Sequence, residues 1–219
     1  MKTILKQVLL LSILLTFACK TANLKKDKAS NTIDQLQEGM LLVKLKTSEN
    51  KIRKYKEMGN MEKANQAIKE QQTLNANIIT SFKENFDFCP VYFFHSNDVA
   101  NIKNNDFDGS IFQTIGEDLK NPPSADTYFL VSEVDFSYQD ELVGKSGEKE
   151  IKVAGTGAVT ALVIRDKENF QIAKPFPYRI KLLDTQAGNL KRGVTKLNKK
   201  LKEFDNKMEV RKLKRSLRQ

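Results

Sequence analysis

His95, Ser96 and Asp98 are the residues of this chain whose types and closeness come nearest to a reactive group. They follow the apolar run Val91 to Phe94, and a turn after a buried strand is where open α/β sheets hold their ligands. A histidine with a hydroxyl neighbour could act as a base, and Asp98 could orient it. Residues adjacent in sequence seldom converge as a catalytic triad, however, and the single histidine in the chain cannot build a histidine-rich metal site. The three residues therefore stand as a candidate ligand site, with a turn that starts a short helix as the plainer role. Cys89, between Phe88 and Pro90, is in an apolar context that suppresses thiol reactivity.

Other motifs fail on one required position each. Asn104, Asp106, Asp108 and Gly109 have the alternating oxygens of a calcium loop, but the closing glutamate position holds Ile115. Gly144-Lys145-Ser146 ends like a phosphate-binding loop, yet the glycine needed five places earlier is Gln139. Gly155-Thr156-Gly157 precedes a strand, whereas a dinucleotide loop follows one. These losses leave no catalytic set, no metal site and no cofactor to expect.

The first residues carry a clearer message. Lys2 and Lys6 precede an apolar run from Val8 to Phe17, and small Ala18 stands before Cys19. That is the layout of a secretory signal peptide, and the run is too short for the roughly 20 residues of a spanning helix. The ending Leu15-Thr16-Phe17-Ala18-Cys19 resembles a bacterial lipoprotein signal. The resemblance implies that residues 1–18 are removed, that Cys19 is diacylated, and that the protein is held in the cell envelope. The outer membrane of a Gram-negative bacterium is the expected address, with a soluble secreted or periplasmic form as the alternative. A free Cys89 then has no partner for an internal disulfide.

The formal net charge of +10 is concentrated in the tail. Residues 189–219 hold 12 basic and 3 acidic side chains, so the rest of the chain is nearly neutral. An anionic lipid, an envelope polyanion or an acidic protein would meet the C-terminus first, and export argues against nucleic acid.

The elements that must position these residues follow from periodicity. Residues 19–38 are polar and lysine-rich and are expected to be a flexible tether. Met40 to Leu45 is a compact apolar strand, and Ser48 stands where a helix cap is wanted. Ile52, Tyr55 and Met58, then Met61 to Phe82, give helical faces interrupted at Gly59. Val91 to Phe94 is expected to be a central strand. Tyr128 to Phe136 is a strand whose alternating end implies one face in water, and Ile151 with Val153 suggest a short edge strand. Val159 to Arg165 turns at Asp166 to Asn169 into Phe170-Gln171-Ile172, and Tyr178 to Leu183 suggests a further strand. Leu190, Val194, Leu197, Leu201, Phe204 and Met208 form one stripe on a long basic helix, with its end from Arg211 expected to fray. The sum is a single α/β domain with a mixed sheet over residues 39–188 and a C-terminal amphipathic helix over 189–219. The order of elements resembles a thioredoxin-like topology without the Cys-x-x-Cys motif. A non-catalytic binding or accessory role is expected, with an enzyme or small-ligand protein acting after Phe94 as the alternative.

Overall fold

The computed structural model describes residues 24–114, 116–117, 119–137 and 159–217. The leader, Cys19, the Gly144 and Gly155 motifs and the suggested strand at Ile151 and Val153 lie outside the described residues. The domain is α/β, with one five-stranded mixed sheet and a long C-terminal helix. Helix α1 covers residues 24–38. It is followed by β1 (Met40–Leu45), α2 (Glu49–Glu57), α3 (Met61–Asn85), β2 (Val91–His95) and α4 (Val99–Lys103). Then come β3 (Phe129–Ser137), β4 (Val159–Arg165), β5 (Arg179–Lys181) and α5 (Ala187–Ser216).

The sheet order is β2-β1-β3-β4-β5. Strand β1 pairs in parallel with β2 and β3, while β4 is antiparallel to both of its neighbours. Side chains alternate across a strand, so each strand feeds two cores. Leu41, Val43, Leu45, Phe93, Leu130, Leu162 and Ile164 face one side, where α1, α3 and α5 cover them. Met40, Leu42, Phe94, Phe129 and Val131 face the other, under Ile102 of α4 and Phe107 and Ile111 of the following segment.

Two glycines permit close approach. A Cβ on Gly39 would lie 2.1 Å from the Tyr128 carbonyl oxygen, so only glycine lets α1 turn into β1 beside β3. A Cβ on Gly193 would lie 2.5 Å from Leu182 and 3.2 Å from Leu162, so its absence lets α5 settle on the sheet. The chain divides α2 from α3 at Gly59, whose φ of 69° suits glycine, and the Asn60 side chain then caps α3 by accepting from the Lys63 amide at 3.0 Å. Ser48 precedes α2 but does not cap it. Its hydroxyl donates to Gln71 on α3 instead.

Several expectations are corrected. The tether over residues 19–38 is replaced from residue 24 onward by helix α1, with Ala29, Ile33 and Leu36 buried at spacings of four and three. Its polar composition conceals a narrow apolar stripe. Strand β2 is at the edge of the sheet, not its centre, because β1 takes the inner place between β2 and β3. Ser132 and Glu133 on successive positions of β3 are both buried, so neither face meets water there. Phe170 to Ile172 contributes one isolated bridge from Gln171 to Arg165 rather than a strand. The end of α5 is helical through Ser216 instead of fraying from Arg211. The thioredoxin-like topology is not confirmed, since α1 precedes β1 and a fifth strand follows β4.

If α1 belongs to the core, Ile33→Ala will destabilise the fold by about 2–5 kcal/mol, the usual cost of emptying a buried aliphatic site. Equilibrium urea unfolding measures this, and a change near zero would return residues 24–38 to the status of a tether.

Candidate functional site

The carboxyl ends of β1 and β2 lie together because the two strands are parallel, with Leu45 opposite His95. Here the sequence candidates are found, and Ser96 has a structural task. The Ser96 hydroxyl accepts from the Thr47 amide at 3.1 Å and lies 3.1 Å from the Thr47 hydroxyl. Thr47 also donates to Asn97 at 3.0 Å, and Asn97 donates to Glu49 at the start of α2. These bonds join the end of β2 to the end of β1. The His95 ring is 5.2 Å from Phe112, and its buried Nδ1 has no hydrogen-bond partner among the described residues. Asp98 sits at the N-cap of α4 without a side-chain capping bond. His95, Ser96 and Asp98 are thus near in chain, but no hydrogen bond unites them as a reactive set among the described residues.

A second polar group, not foreseen from sequence, crosses the neighbouring strands. Glu133 on β3, only 2 % exposed, lies between Lys44 on β1 and Arg165 on β4. Arg165 Nε donates to Glu133 at 2.5 Å, and its Nη2 donates to Asp135 at 3.2 Å. Lys46 donates to Asp135 at 3.0 Å. The result is an alternating chain of five charges, Lys46, Asp135, Arg165, Glu133 and Lys44. Its sequence signal is a pair of bases two residues apart at the end of β1, Lys44 within it and Lys46 just past it, and a pair of acids two residues apart on β3, which parallel pairing brings side by side. A buried charge of this kind is tolerated because both flanking cations satisfy it, and removing one partner would leave an uncompensated charge. The strand order reverses around β1, which is where an open sheet can hold a ligand. The space among Lys44, Phe94, Val99 and Val131 amounts to only about 10 Å³, the limit for a single water.

Cys89 is buried, and burial pushes its thiol pKa up to about 12. It stays protonated and inert at neutral pH, as its apolar neighbours imply. Asp106 and Asp108 are exposed beside Gly109, whose φ of 63° makes a turn. Among the described residues, the three potential metal ligands that do converge are Asp34, Asp205 and Glu209. Lys212 already supplies their cation: its ammonium is 2.8 Å from both Asp34 oxygens and 2.7 Å from Glu209.

The opposite end of the molecule has the larger opening. Helices α1 and α5 run antiparallel, as the pairs Asp34 with Lys212 at 2.8 Å and Asp27 with Arg215 at 2.8 Å show. A groove of about 600 Å³ lies at their tips. Five cations line it, Lys26, Lys207, Arg211, Lys214 and Arg215, over an apolar floor that includes Pro175, Phe204 and Met208. Among the described residues, no acidic one lines it. Arg211 and Arg215 both contact Asp27, at 3.3 and 2.8 Å. The basic surplus foreseen in the tail is therefore only partly solvated, since some of it holds α5 to α1.

No protein-family model, curated protein or solved structure matches this chain. The site must be judged on its own geometry.

Asp205 reports on the same helix pair. Burial, then the negative charges of Glu209 and Asp34, hold its carboxyl above the usual value of 3.8, with Lys212 opposing. A carboxyl raised by folding stabilises the fold while protonated. That contribution is present below pH 3.8, the unfolded value, and is lost as pH rises through the folded one. Asp205→Asn is therefore expected to raise the melting temperature at neutral pH and to lose this advantage in acid. Thermal unfolding across pH checks it, and a lower melting temperature at neutral pH would contradict it.

Proposed function

We propose that this protein is a membrane-anchored lipoprotein of the bacterial cell envelope, with its α/β domain in a non-catalytic binding or accessory role. The observation that carries the reading is the sequence from Lys2 to Cys19, with its basic start, apolar run and small residue before a cysteine. Among the described residues, no helix is long and apolar enough to cross a membrane. The inert Cys89 and the occupied Ser96 hydroxyl favour binding over catalysis. One observation favours the enzyme or small-ligand reading instead, the unpartnered Nδ1 of His95 at the carboxyl end of β2.

Intact-mass measurement of protein extracted from membranes tests the anchor. The expected mass begins at Cys19 and includes acyl chains, and Cys19→Ala moves the protein to the soluble fraction. A mass beginning at Met1 or Lys20 would refute the reading.

A further inference from the structure

We infer that the groove at the tips of α1 and α5 is a docking surface for an anionic lipid bilayer. Phosphate headgroups meet Lys26, Lys207 and Lys214, while the ridge Val210, Leu213 and Leu217 enters the acyl boundary. The inference deepens the anchored-lipoprotein reading and rests on it for orientation.

Four observations converge on this end of the molecule. The first is charge: among the described residues the groove is lined by five cations and no acid, and no ion pair there involves Lys26, Lys207 or Lys214. The second is the ridge itself. Val210, Leu213 and Leu217 are spaced three and four residues apart, so they share one helical face, and they are 52 %, 61 % and 78 % exposed. Lys207 and Lys214, seven residues apart, form the adjacent stripe. Apolar side chains beside lysines on one helix are the pattern of a helix lying at a lipid interface. The third is Leu24 at the start of α1, also exposed and brought to the same end by the antiparallel pairing.

The fourth observation is chain length. Cys19 precedes Leu24 by five residues, which span at most about 18 Å when fully extended. A lipid on Cys19 would hold this end, rather than the His95 end, against the bilayer. The exposed ridge also separates the candidate occupants. A soluble polyanion or a free phosphate uses the cations but gives the leucines nothing to enter, whereas a bilayer satisfies both.

The test uses the full chain carrying Cys19→Ser, which removes acylation and leaves every other segment in place. Cosedimentation is measured with phosphatidylcholine vesicles and with vesicles containing phosphatidylglycerol. The readout is each variant's binding relative to the parent on the same vesicles, a comparison in which the shared leader, with its Lys2 and Lys6, cancels. Lys26→Gln, Lys207→Gln and Lys214→Gln together should lower binding to the anionic vesicles about 100-fold, at about fivefold per lysine, and leave phosphatidylcholine binding unchanged. Leu213→Ser with Leu217→Ser should weaken anionic-vesicle binding without altering its salt dependence. A control triple variant, Lys63→Gln, Lys69→Gln and Lys103→Gln, removes the same charge elsewhere and should bind as the parent does. The inference is overturned if the groove variant binds like the parent, if the control loses as much, or if inorganic phosphate displaces the protein from the vesicles. Acylated Cys19 with no groove effect defeats this inference alone; a groove effect without acylation defeats the anchor alone.

Discussion

One apolar sheet face governs this structure. Leu41, Val43 and Leu45 of β1, Leu130 of β3 and Leu162 and Ile164 of β4 present a continuous surface that water cannot be left to cover. Helices α3 and α5 cover much of it, and α1 completes the cover with Ile33 and Leu36, both fully buried. The surface ion pairs between α1 and α5 contribute little energy individually. They act on register instead, placing Asp27 by Arg215 and Asp34 by Lys212 so that the two helices run antiparallel. The meeting of the chain's early and late segments at one end follows from that cover.

Position along the sheet then separates two surfaces. Asp87, just before β2, binds Asn198 and Lys202 of α5 at 2.6 Å each. Past Lys202 the helix runs on for about 21 Å, at 1.5 Å per residue, to its end at Ser216. Helix α1 also enters the sheet from the amino-terminal edge of the parallel strands. His95, Ser96 and α2 lie at the carboxyl edge, where Thr47, Asn97 and Glu49 join strand ends to helix starts. A domain held by its α1 and α5 tips would turn the carboxyl edge away from the membrane, leaving that edge open to a soluble partner.

How much of this was legible in sequence depended on how strong each local pattern was. Strand β4 is plain in Val159 to Arg165, because its apolar and β-branched run is bounded by a turn. The stripe from Leu190 to Met208 likewise announces α5. Helix α1 is hidden because Ala29, Ile33 and Leu36 are few among lysines and acids, and only the tertiary face they meet makes the stripe count. The edge position of β2 is not a local property: Val91 to Phe94 looks central because both of its faces are covered. The alternation at the end of β3 implies a face in water, and an acid such as Glu133 gives no local sign of being buried. Its burial depends on Lys44 and Arg165, which are distant in sequence and become neighbours only through pairing. The groove needed the same knowledge, because Lys26 and Lys214 converge only when α1 and α5 pair.

The central claim is that the tips of α1 and α5 form the membrane-facing end of an anchored domain. The direct test labels membrane-associated full-chain protein at Leu213→Cys or, separately, at Lys56→Cys on the exposed side of α2; the buried Cys89 will not compete for the label. Quenching of each fluorophore by nitroxide-bearing lipids is then compared. The account predicts strong quenching at position 213 and little at position 56. Equal quenching at both positions, or stronger quenching at 56, would contradict it.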